Sequence, residues 1–67
     1  MYIGTRLRKL RDRQRVSTRE IADRIGVSQS TYVGWENDKS SPTVRVYMRI
    51  AEAFEMDPVQ LMTYLTS

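Results

Sequence analysis

One residue, Val27, separates the point where a helix must stop from the point where the next must start. Gly26 follows the apolar spacing of Ile21, Ala22 and Ile25 and supplies the left-handed position on which helices commonly end. Ser28 supplies a side-chain oxygen that caps a new helix over 29–36. Two short helices on so tight a connection cannot lie antiparallel. They must cross steeply, as in a helix-turn-helix.

The rest of the chain reads as a scaffold for that pair. Ile3, Leu7 and Leu10 recur at steps of four and three and predict a first helix over about 3–14. "VSTRE" predicts the start of the second helix, 18–25: Ser17 caps the Glu20 amide, Glu20 reaches back to the Ser17 amide, and Val16 staples onto Ile21. After the loop "ENDKSSP", Thr43 caps a fourth helix, 44–54, with Val44, Tyr47, Ile50, Ala51 and Phe54 on its apolar face. Asp57 and Pro58 open a fifth, 58–65, through Leu61, Met62 and Leu65. No strand is expected, so the fold class is all-α: one compact domain, 1–67, of five helices.

A chain of 67 residues buries only a modest core and has no cysteine to staple it. Histidine is absent as well, so the usual general base, thiol nucleophile and zinc ligands are missing. We expect no enzyme, no metal and no cofactor. No apolar run approaches the ~20 residues of a membrane span, and "MYIGTRLRKL" lacks a signal-peptide core, so a soluble, cytoplasmic protein is expected. The net charge of +3 is unevenly placed: residues 1–24 carry +5, residues 25–67 carry −2. A basic half points to a polyanionic partner or to a solvated charged helix.

"STREIADRIGVSQSTYVGWENDKSSP", followed by "TVRVYMRIAEAFEMDPVQLM", resembles the phage repressor and Cro family of helix-turn-helix domains, the xenobiotic-response-element family. The resemblance implies a lambda-repressor-like, five-helix domain that binds operator DNA as a dimer, its third helix in the major groove and its second across the backbone. It also implies that Arg11 and Glu36 form a structural pair joining the first helix to the end of the third, and that Asn37 and Lys39 contact the DNA backbone. The family commonly has glycine where this chain has Arg15, Asp38 and Glu55. If all three adopt left-handed geometry, each costs on the order of 1 kcal/mol.

With Tyr32 and Trp35 pointing inward, Ser28, Gln29, Ser30, Val33 and Gly34 remain on or near the outer face of the third helix. Gln29 can offer its amide to adenine N6 and N7, Ser28 and Ser30 can donate or accept, and Val33 can meet a thymine methyl or simply pack on a neighbour. Gly34 weakens a helix interior by about 1 kcal/mol. Either its bare backbone allows closer approach to the groove floor, or the position no longer reads DNA. Helix N-termini favour anions, so Ser17, Thr18 and Thr43 are candidate phosphate contacts, with Arg13 and Arg19 adding longer-range attraction.

One recognition helix reads few base pairs, so a palindromic operator and a homodimer are expected. Val59, Met62, Tyr64 and Leu65 cannot all face inward in so short a helix. They form either a dimer interface or a tail over the domain's own core. The sequence therefore reads as a repressor or autoregulator. The alternative is an antitoxin-like or adaptor module whose main partner is another protein. Membrane-surface binding through the first helix is the weakest reading, because its apolar stripe is better explained by core burial.

Overall fold

The turns that end the first four helices each close on a left-handed residue. A computed structural model describes residues 3–66 as α1 (Gly4–Gln14), α2 (Thr18–Ile25), α3 (Gln29–Glu36), α4 (Val44–Ala53) and α5 (Pro58–Thr66), with no strand among them. Arg15 follows α1 at φ 55°, Gly26 follows α2 at 92°, and Asp38 and Glu55 stand just past α3 and α4 at 57° each. The next amide then reaches back across the turn. Val16 N–H bonds the Arg11 carbonyl at 3.4 Å, Lys39 the Gly34 carbonyl at 2.9 Å and Met56 the Ala51 carbonyl at 2.8 Å. These bonds satisfy carbonyls that a helix end leaves open. Three side chains with a Cβ thus occupy a conformation that favours glycine.

The starts follow the expected chemistry, with one exception. Ser17, Ser28 and Thr43 each accept the amide three residues on, and Asp57 Oδ1 accepts the Val59 amide at 3.0 Å. Glu20 does not reach back to Ser17. Its carboxylate instead takes a 2.8 Å bond from Arg24, four residues on and one turn away along the same exposed face. α1 has no side-chain cap of its own: Asp38 Oδ1 accepts the Gly4 amide at 3.0 Å from 34 positions away.

Tyr32, Phe54, Leu7, Ile21, Ile50 and Leu61 are the largest fully buried side chains, and every helix contributes at least one of them. α1 lies against α3 and α5, α2 against α3 and α4, and α4 against α5. Val16 and Ile21 both join the core, consistent with the staple. Two positions differ from the periodic reading. Val44, on the expected apolar face of α4, is 82 % exposed: it is the first residue of that helix and borders an open groove. Leu65, expected near a self-association surface, is buried in the domain's own core.

Candidate functional site

Rotation of α3 is set by its two aromatics. Tyr32 and Trp35 are buried and meet edge to face, with ring centroids 5.9 Å apart and planes at 71°. Gln29 and Ser30 are therefore turned to the surface, with Val33 and Gly34 half-buried beside them. These four border one shallow concavity together with Asn37 and Lys39 from the segment after the helix. Small neutral side chains line its helical wall, and a lysine and a carboxamide stand at its rim.

Ser28 is placed differently. Its hydroxyl accepts the Thr31 amide at 3.1 Å and donates to Thr31 Oγ1 at 2.8 Å, so both its lone pair and its proton serve the helix start. Gln29 is also tethered, donating from Nε2 to Thr18 Oγ1 at 2.9 Å across the helix crossing. That bond leaves its amide oxygen as an acceptor and its second N–H as a donor. Ser17 and Thr43 accept backbone amides through their oxygens yet keep a hydroxyl proton to donate. Arg13 stands apart from this group. Its guanidinium lies 5.9 Å from the Tyr64 ring centroid, in a groove between α1 and α5, with Arg6 5.7 Å from the same ring.

The expected Arg11–Glu36 pair is present and is the electrostatic centre of the molecule. Arg11 Nε donates to Glu36 Oε2 at 2.6 Å, Arg11 Nη2 to Oε1 at 3.3 Å, and Arg11 Nη1 to the Val16 carbonyl at 3.0 Å. The Glu36 side chain is 4 % exposed. Burial alone would raise its carboxyl, but hydrogen bonding to Arg11, the nearby Tyr32 hydroxyl, the charge of Arg11 and a bond from Arg8 outweigh it and hold it below its ordinary value. Burial first, then the adjacent carboxylate, push the Tyr32 phenol well up, so it stays neutral. Its fully buried hydroxyl faces this pair without a hydrogen bond of ordinary geometry.

Two residues that the sequence did not single out complete the site. Arg8, one turn before Arg11, donates from Nε to Glu36 Oε1 at 3.3 Å and from Nη2 to Asn37 Oδ1 at 3.1 Å. Their three-residue separation on α1 was the available signal. Gly4 allows the start of α1 to meet the end of α3: a Cβ there would lie 2.2 Å from the Glu36 carbonyl oxygen. Gly34 is under less pressure. The nearest atom to a Cβ at that position is Ser40 Oγ at 3.3 Å, a hydroxyl free to rotate about χ1. The fold requires glycine at 4 and not at 34.

Of the four residues expected at a self-association surface, Val59 and Met62 are exposed, Tyr64 is half-buried beside Arg6 and Arg13, and Leu65 is buried. Val44 and Met48 of α4 are also exposed, and with Met62 they border a groove floored by Tyr47 and Leu65. Among the described residues no helix is long and apolar enough to cross a membrane.

A family model described as helix-turn-helix matches residues 7–61. Among solved structures, the crystal structure of the clp gene regulator ClgR from C. glutamicum aligns over 97 % of this chain and 84 % of that chain. Its TM-score is 0.85 at 18 % sequence identity, a likeness of fold. No curated protein matches the chain.

Proposed function

The chain belongs to the Cro/C1-type helix-turn-helix family, and from that premise we propose that it binds an operator in double-stranded DNA as a homodimer and represses, or regulates itself, by occupying the site. The family and its fold support a DNA-binding transcriptional regulator. One observation carries the finer reading: a helix locked by two buried aromatics turns Gln29, Ser30, Val33 and Gly34 outward into one concavity with Asn37 and Lys39. A helix fits a major groove about 12 Å wide, and its N-terminal residues are the ones that meet base edges. Gln29 then reads adenine, while Asn37, Lys39 and the hydroxyls of Ser17, Thr18 and Thr43 hold phosphates.

The domain measures 25 × 23 × 23 Å, less than the ~34 Å of one turn of DNA, so one copy covers one half-site. Val59 and Met62 of α5, joined by Val44 and Met48 of α4, form the surface that fits a second copy. Those exposed side chains also favour a second reading, an adaptor whose main partner is another protein.

Selection of duplexes from a random pool, followed by footprinting, tests the proposal. The expected product is a palindrome with half-sites about one turn apart. Gln29→Ala is expected to relax preference at one position per half-site by roughly 1–3 kcal/mol with its fold intact. Unchanged preference in a folded Gln29→Ala variant would overturn the reading surface. Failure to enrich any duplex would favour the adaptor.

A further inference from the structure

Asn37 sits at the rim of the concavity, and its carboxamide is not free to choose which end it shows. The Arg8 guanidinium, 3.1 Å away, carries only donors, so the carboxamide oxygen must be the atom that faces it. The amide nitrogen then turns away from Arg8, with two N–H donors that bond no acceptor among the described residues. Arg8 is in turn fixed by its second bond, from Nε to Glu36 Oε1 at 3.3 Å. Glu36 is anchored by Arg11, which spans from α1 to the Val16 carbonyl. A chain of bonds thus runs from the interior to the rim and ends in an NH2 group.

We infer that Arg8 is a positioning residue for DNA binding: it holds the Asn37 carboxamide with its donors presented to a phosphate oxygen, and it does so from α1, outside the helix-turn-helix itself. The inference rests on the DNA-binding reading above. Phosphate oxygens accept and do not donate, so a carboxamide turned the other way would present its oxygen to an anion and repel it. Arg8 is not among the residues that border the concavity, whereas Asn37 is. Arg8 shares Glu36 with Arg11, so the cluster keeps one positive charge, but the Arg8 donors are aimed at Glu36 and Asn37 and not into the concavity, so its part is orientation and not direct contact with a phosphate.

The two roles separate in salt dependence. A cation that neutralises one phosphate contributes a slope of about −0.9 in log affinity against log salt, and an oriented neutral amide contributes almost none. The experiment measures affinity for a duplex recovered from the random-pool selection, across a salt series, for the parent, Arg8→Met, Asn37→Ala and the double variant. Thermal melting of each variant accompanies it. Asn37→Ala is expected to bind roughly tenfold more weakly, as for one lost hydrogen bond to a charged group. Arg8→Met is expected to lose a comparable factor with the salt slope unchanged, and the double variant is expected to be no worse than Asn37→Ala.

Two results overturn the inference while leaving the DNA-binding reading intact. One is a shallower slope in Arg8→Met, which makes Arg8 itself the phosphate ligand. The other is additive losses in the double variant, which makes the two residues independent. If Arg8→Met unfolds, Arg8→Lys serves in its place. It keeps the charge but replaces the planar fork that reaches Glu36 and Asn37 together, so its affinity is expected to fall at an unchanged slope. Absence of duplex binding by the parent overturns the family-based reading and this inference with it.

Discussion

Replacing Arg15 and Glu55 with glycine is expected to stabilise this domain, although neither change adds a contact. Both residues are exposed and hold φ near 55°. A side chain with a Cβ pays about 1–2 kcal/mol to stand in that region. Glycine removes this strain but loosens the unfolded chain by roughly 0.4–1 kcal/mol. The difference leaves a net gain of about 0.5–1 kcal/mol at each site. For a domain of this size, each kcal/mol moves Tm by about 4–8 °C.

Asp38 is the internal control. It has the same φ, but its carboxylate caps the Gly4 amide, and losing a cap of this kind costs about 1 kcal/mol. Asp38→Gly is therefore expected to be nearly neutral. Thermal and urea melts of the three single variants, followed by circular dichroism, measure the pattern. Arg15→Gly and Glu55→Gly must be made singly first, because Gln14 Nε2 donates to the Phe54 carbonyl at 3.2 Å and ties the two turns together. If both singles melt at or below the parent, or if Asp38→Gly gains as much as they do, the strain argument fails.

Three further outcomes follow from the same geometry. Glu36→Gln leaves the partly buried guanidinium of Arg11 with only the exposed Asp12 as counter-charge, and a loss of about 3 kcal/mol in urea unfolding is expected; a variant as stable as the parent that nevertheless binds DNA poorly would contradict the structural role. Because the Glu36 carboxyl is held below its ordinary value of 4.5, the unfolded chain takes up that proton first as pH falls, so the stability this group contributes is full above about pH 4.5 and drains away as pH drops through the folded value; acid melts of Glu36→Gln are expected to lack this component. Gly4→Ala forces a methyl to 2.2 Å from a backbone oxygen and is expected to lose about 1–3 kcal/mol, whereas Gly34→Ala displaces only a rotatable hydroxyl and is expected to gain up to about 1 kcal/mol in the same melts while binding DNA more weakly. Undiminished affinity in Gly34→Ala would remove the close-approach explanation for that glycine.

The helices were legible because their signals are local. Ser17, Gly26, Ser28, Thr43 and Asp57 each act within four residues of themselves, and the predicted ends of α2 and α3 agree with the structure to the residue. What the sequence hid depends on partners far along the chain. Gly4 reads as an ordinary first-turn residue until the end of α3 is laid against it. Arg8 reads as one of many solvated arginines until Glu36 and Asn37 arrive from 28 and 29 positions away. Where two local signals competed, spacing could not decide between them. Glu20 had both the Ser17 amide and Arg24 in range, and the charged partner holds it. Val44 is exposed and Leu65 buried for a related reason: periodicity gives the side of a helix, but not whether a neighbour covers a given turn at its end.

These long-range residues also explain how a small domain without disulfides keeps the proposed reading helix in place. α3 has eight residues, too few to be stable alone. Its start is held by Ser28 and by the Gln29–Thr18 bond to α2, its middle by Tyr32 and Trp35, and its end by three residues of α1: Gly4, Arg8 and Arg11. The arginines of α1 are therefore not one basic surface. Arg8 and Arg11 face the end of α3, while Arg6 and Arg13 flank Tyr64 on α5. An excess of positive charge in the first third of the chain suits either a solvated helix or a polyanionic partner. Half of α1's arginines instead hold, through one buried carboxylate, the helix that would meet it.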